Sequence, residues 1–185
     1  MKGIIFRAFI DHVENRFGMD CADRMISSCD LSSGAAYTSV GTYEPGELAA
    51  MLEKLADLEG TDVSTLLKDF GRHLFSHLAT SYPKVLNHAD SSFSLISTID
   101  NHIHVEVQKL YPDSALPKFT CESLGPDQLL LTYRSERGLA DLAEGLLWGC
   151  FDFFNERAEL KREDLSGRAC THVRFTLRLL RELDG

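Results

Sequence analysis

Apolar residues recur at helical spacing through the first part of the chain and at strand spacing later. Ile5, Phe9, Val13 and Phe17 fall about one turn apart, and Gly18 is a natural stop. A short second helix is expected from about Cys21 to Ser27. The polar, glycine-containing stretch from Leu31 to Pro45 reads as a loop. From about Pro45 to Leu58, Leu48, Met51, Leu52 and Leu55 mark one face, and Gly60 ends the helix. Asp62 and Ser64 are candidate caps for the next one. Its apolar side is Leu66, Leu67, Phe70, Leu74 and Leu78, and Pro83 terminates it. One long helix is then expected from about Ser91 to Leu110. Its buried stripe would be Phe93, Ile96, Ile99, Ile103, Val107 and Leu110, and Pro112 closes it.

After Pro117 the pattern changes. Phe119 to Ser123 and Gln128 to Tyr133 read as strands around a Gly125-Pro126-Asp127 turn. Leu139 to Phe154 returns to helix, with Leu142, Leu146, Cys150 and Phe153 at helical steps. Glu159 to Glu163 and Cys170 to Leu177 suggest a hairpin turning near Ser166-Gly167. The polar tail, Arg181 to Gly185, is expected to fray. A helical N-terminal part followed by a C-terminal antiparallel sheet with one inserted helix is an α+β fold. No repeat, low-complexity segment or linker divides residues 1–185, so a single domain is expected.

Composition narrows the function classes. Hydrophobic content of 44% and charged content of 25% are ordinary for a soluble globular domain. A net charge of −9, with no block of Lys or Arg, argues against a nucleic-acid surface. No apolar run is long enough to cross a bilayer. Arg7 interrupts the N-terminal apolar stretch where a secretory core needs to stay apolar, so a cytoplasmic location is expected. The five cysteines are scattered, without a CxxC pair. That argues against a disulfide framework or a cysteine-rich zinc site.

The stretch Tyr133-Arg134-Ser135-Glu136-Arg137 carries the most chemistry. In an extended segment Tyr133, Ser135 and Arg137 share one face. Two hydroxyls and a guanidinium form a row of donors suited to carboxylates, which Arg137 can grip bidentately. The plainer alternative has equal standing on local physics: Arg137 caps the next helix or pairs with a surface Glu, and the hydroxyls are solvated. His104 borders the apolar stripe of its helix and could ligate a metal in a hydrophobic pocket. A lone histidine on such a face is more often a core residue bonded to a carbonyl. Asp100 and Glu106 flank it, an arrangement too common on helices to carry weight. His73 and His77 lack the Glu of an HExxH motif and read as surface or rim residues. Cys170-Thr171-His172 is a weak zinc signal. No Ser-His-Asp order, phosphate loop or paired-carboxylate arrangement suggests itself.

Together, His104, Pro117 thirteen residues later, and Tyr133-x-Ser135-x-Arg137 resemble the H-NOX family. These are haem-nitric oxide/oxygen binding domains, related to the sensor domain of soluble guanylate cyclase. Met1-Lys2-Gly3-Ile4-Ile5, Phe70-Gly71-Arg72, the run from His104 to Pro112 and Ala143-Glu144-Gly145-Leu146-Leu147 are similar to it too, so the resemblance spans nearly the whole chain. It implies a b-type haem buried between the helical part and the sheet. His104 would bind the iron, and Pro117 would press on the macrocycle. Tyr133, Ser135 and Arg137 would hold the propionates. Ile5, Phe9, Leu74, Leu78, Ile103 and Leu142 would complete an apolar slot.

Oxygen-binding members carry a distal Tyr five residues after the motif Arg, and this chain has Leu142 there. The resemblance therefore implies a non-enzymatic sensor of NO, able to take CO, that excludes O₂. It would signal to a separate histidine kinase or cyclic-di-GMP enzyme. A haem protein with an O₂-linked or redox role is the alternative, and a non-haem module gripping a partner's carboxylates is a third. No zinc is expected, because only Cys170 fits the family's C-terminal zinc region, where Lys161 and Leu165 also lie.

Overall fold

Helix α8 (Ala140–Phe153) faces two apolar cores at once, and the architecture follows from that. Its sequence is apolar nearly all round, which suits a helix covered on several sides. Leu142 belongs to the helical core with Phe6, Phe9, Val13, Leu52, Phe70 and Leu74. Ala143, Leu147, Cys150 and Phe151 belong to the sheet core with Leu131, Tyr133, Val173 and Phe175. The computed structural model describes residues 1–86, 89–167 and 169–180, without the side chains of 84 and 85. The tail expected to fray lies outside them.

The helical part comprises α1 (Gly3–Phe17), α2 (Met19–Ser27), α3 (Pro45–Glu59), α4 (Val63–Ser81) and the short α5 (Pro83–Leu86). Gly18 and Gly60 end their helices at positive φ, a conformation that costs glycine little. Asp62 caps α4, accepting from the Thr65 N–H at 2.8 Å. Ser64, the other candidate cap, instead donates to Asp141 at 2.8 Å and ties α4 to α8. The loop before α3 is held by Glu47, whose buried carboxylate accepts from the hydroxyls of Ser32 (2.6 Å), Ser33 (2.5 Å) and Tyr37 (2.6 Å). Burial alone would push this carboxyl up, but those bonds outweigh it and hold the group down at about 2.

The stretch expected as one long helix is broken. It runs as α6 (Ser92–Ser97), a π-helical turn (Ile99–Ile103) and α7 (His104–Leu110). At the break the Thr98 carbonyl accepts from both His102 (2.8 Å) and Ile103 (3.1 Å), the second being a five-residue bond. The apolar stripe explains the misreading. Ile99, Ile103, Val107 and Leu110 line a cavity instead of filling a core, and Leu110 is 57% exposed.

The sheet is antiparallel, in the order β1-β2-β4-β3: β1 (Lys118–Gly125), β2 (Gln128–Arg134), β3 (Ala158–Asp164) and β4 (His172–Leu179). Alternation sets its faces. Leu129, Leu131 and Tyr133 face α8, as do Val173, Phe175 and Leu177. Phe119 pairs with Tyr133, and Tyr133 with Val173.

Backbone contact joins α4 to α8. A Cβ on Gly71 would lie 2.4 Å from the Leu142 carbonyl oxygen, and one on Gly145 would lie 2.1 Å from that of Lys68. Beside this seam Arg162 bonds Asp141 and reaches Glu144 at 3.0 Å, while Lys68 reaches Glu144 at 3.1 Å. Gly145→Ala must therefore push the two helices apart. The expected cost is about 1–3 kcal/mol or more, seen as a lower urea midpoint. An unchanged midpoint would mean that the two backbones are not in contact.

Candidate cofactor site

A cavity of about 390 Å³ lies where the two cores meet, a volume within the usual range for small-molecule sites. One wall is Ile5, Leu74 and Leu78 from the helical part, with Leu142 and Leu146 from α8. The other is Ile99, Ile103, His104, Pro117 and Phe119. Tyr133, Ser135 and Arg137 also line it. Of the residues expected at a site, only Phe9 is elsewhere. It is fully buried with its ring 5.1 Å from that of Phe70, because one turn along α1 from Ile5 the helix has rotated toward α4.

His104 opens α7, and its imidazole is largely buried. Its Nδ1 lies 3.1 Å from Asp100 Oδ1, and the same oxygen accepts the Phe119 N–H at 3.1 Å. Burial lowers the His104 pKa, with Asp100 opposing it in part. A neutral imidazole with Nδ1 tied to a carboxylate is the arrangement of a metal-binding histidine. Its Nε2 has no hydrogen-bond partner among the described residues.

The donor row is built differently from the extended face the sequence suggested. β2 ends at Arg134, which is exposed, and Ser135 to Arg137 follow in a turn that Gly138 completes at φ 62°. The Ser135 N–H is held by the Thr171 carbonyl at 2.9 Å, and Ser135 Oγ accepts the Arg137 N–H at 3.3 Å. Tyr133 is fully buried, and its hydroxyl accepts the Leu139 N–H at 3.1 Å, at the start of α8. Burial raises the Tyr133 pKa, keeping a neutral phenol. The Arg137 guanidinium forms no ion pair among the described residues. The Ser114 hydroxyl, also in the wall, is buried without a hydrogen-bond partner among the described residues. A flat apolar group with carboxylates on one edge and a metal that accepts nitrogen fits this set of walls and donors.

Sequence reasoning passed over three features. Asp100 was set aside, although its spacing of four from His104 puts both on one side of a helix. Ser114 and the Tyr82/Tyr111 pair gave no motif. The two tyrosine hydroxyls lie 3.0 Å apart and both residues line the cavity. Elsewhere, His73 lies with its ring 4.7 Å from that of His12, which contacts Asp69 at 3.2 Å. Arg162 Nη2 lies 3.1 Å from Cys170 Sγ.

Residues 2–162 match the family model described as haem-NO-binding. Solved structures share the fold over almost the whole chain. The unliganded Fe(II) H-NOX protein of K. algicida is 36% identical, with 99% of this chain and 98% of that one covered and a TM-score of 0.92. The S. oneidensis H-NOX protein in its Fe(II)NO state is 29% identical, with coverage of 98% and 100% and a TM-score of 0.91. The H-NOX of Shewanella woodyi, solved in its Fe(II)CO state with IWP-051 bound, is 40% identical, with coverage of 96% and 94% and a TM-score of 0.82. No curated protein matches the chain. No helix among the described residues is long and apolar enough to cross a membrane.

The unpaired guanidinium at the rim predicts that Arg137→Ala weakens haem retention. Losing a charged hydrogen bond of about 1.5–3 kcal/mol corresponds to roughly 10- to 150-fold in affinity. Transfer of haem to apomyoglobin measures it. Transfer at the wild-type rate would remove Arg137 from the site.

Proposed function

The chain belongs to the haem-NO-binding, or H-NOX, family of haem-binding sensor domains, and from that premise we propose that it is a haem-based nitric oxide sensor. The observation that carries the reading is His104, fixed by Asp100 in the wall of an apolar cavity, with unpaired Arg137 at its edge. A b-type haem supplies the ferrous iron that takes NO or CO. His104 Nε2 is its protein ligand, and Asp100 keeps the imidazole oriented and electron-rich. Tyr133, Ser135 and Arg137 hold the propionates. Pro117, between His104 and the start of β1, would lie against the haem, and Ile103 would complete that side.

Ligand choice rests on the opposite wall. Ile5, Leu74, Leu78 and Leu142 offer no hydrogen-bond donor. The outer atom of O₂ gathers negative charge and gains about 1 kcal/mol or more from a donor, whereas NO needs little such help. NO bound at that iron would compete with the bond His104 would make to it. Release of His104 would let α7 shift relative to the Asp100–Phe119 contact. Such a change signals only to the extent that NO affinity differs between the two arrangements. The recipient is a separate protein, a histidine kinase or a cyclic-di-GMP enzyme, and no catalysis is assigned to this chain. Its setting is the cytoplasm. No zinc is assigned, because the Arg162 guanidinium sits on the Cys170 sulfur and burial raises that thiol's pKa, against the thiolate zinc needs.

One observation favours an O₂-linked role instead. Tyr82 and Tyr111 spend one hydroxyl proton on each other, which leaves a second for another acceptor. Electronic spectra of the haem-loaded ferrous protein separate the two. The NO reading predicts a five-coordinate spectrum unchanged by air and a new Soret band with NO. A stable oxy complex, abolished by Tyr82→Phe, would establish the alternative.

A further inference from the structure

The outer face of the sheet, away from α8, carries a charge pattern opposite to the net −9 of the chain. Lys118 on β1 pairs in register with Arg134 on β2, and Arg134 with His172 on β4. Three basic residues thus stand side by side across three strands. Arg174 lies two residues beyond His172, on the same face, since Val173 between them is fully buried on the other. The next row contains Thr120, Thr132, Arg174 and Glu163. Glu163 is the one acid in these two rows, and Arg174 already holds it at 3.2 Å.

Like charges directly opposite one another destabilise a sheet. Lys118 and Arg134 are exposed and form no ion pair among the described residues. Neighbouring strands are about 5 Å apart, close to the roughly 5–6 Å between residues one turn apart on a helix. A helix with an acidic stripe therefore matches this row in both charge and spacing. A net charge of −9 opposes the extended phosphate arrays of lipid or nucleic acid, whereas the acidic stripe of a single helix need meet only this short basic row.

The row also backs directly onto the cavity wall. Lys118 lies between Pro117 and Phe119, both in that wall, and the Phe119 N–H is held by the carboxylate that holds His104. Arg134 lies between Tyr133 and Ser135, which also line it.

We propose that Lys118, Arg134, His172 and Arg174 form the docking surface for an acidic helix of a separate protein. The assignment rests on the sensor reading and names the surface through which β1 reports on His104. Any movement of His104 acts on β1 through Asp100, and so on the spacing of the row. By linkage, an acidic helix that prefers one spacing shifts ligand affinity in turn.

The test uses haem-loaded protein and a synthetic helical peptide with glutamate at every fourth position, followed by amide NMR and calorimetry. The expected result is salt-sensitive binding, with shifts confined to residues 118–120, 132–135 and 172–174. Binding should weaken at least about tenfold in the K118E/R134E double variant, and by less in Lys118→Gln alone. Equal binding by the charge-reversed protein, shifts centred elsewhere, or binding of phosphatidylserine vesicles but not the peptide would overturn the proposal. The Soret band and NO response recorded on the same samples report on the sensor reading separately, since both should persist in K118E/R134E.

Discussion

One carboxylate ties the helix that carries His104 to the sheet. Asp100 Oδ1 reaches His104 Nδ1 and the Phe119 N–H, both at 3.1 Å. Through it the imidazole is fixed to the start of β1, two residues from Pro117. The π-helical turn sets this up, because it carries Asp100 and delivers His104 to the start of α7. A histidine restrained in this way has one orientation and one free nitrogen, which ligation of a metal requires. It also cannot move without acting on the sheet, since the same Asp100 oxygen holds the Phe119 N–H.

The cavity exists because neither core closes over it. α8 serves both, and close backbone contact at Gly71 and Gly145 fixes α4 against α8. On the far side, the π-helical turn and α7 bury none of their apolar side chains fully. Apolar surface left against a cavity stabilises a fold less than surface in a packed core. An apolar occupant restores that contact, which links folding to cofactor binding. The charged groups are kept to the edge, at Arg137, where carboxylates can meet them while remaining near water.

Much of this was legible in the sequence. The helices of the first part and the positions of the strands along the chain followed from period and punctuation, since Gly18, Gly60 and Asp62 do locally what their chemistry dictates. His104, Pro117, Ser135 and Arg137 do converge on one cavity. What failed was what depends on tertiary context. A regular apolar stripe from Phe93 to Leu110 cannot distinguish a core from a cavity wall, nor disclose one inserted residue at Thr98. Phe9 shares a period with Ile5 but faces another helix. Tyr133 has the parity of Ser135 in sequence, yet the strand ends between them. Asp100 was visible and discounted, because a lone acid near a histidine says little until the Phe119 N–H is seen to share it.

The proposed role of His104 as the protein ligand of the iron is tested most directly by replacing it with alanine. If His104 holds the iron, His104→Ala binds haem with a five-coordinate, imidazole-ligated ferrous spectrum only when free imidazole is added. The same spectrum in the variant without imidazole would contradict it.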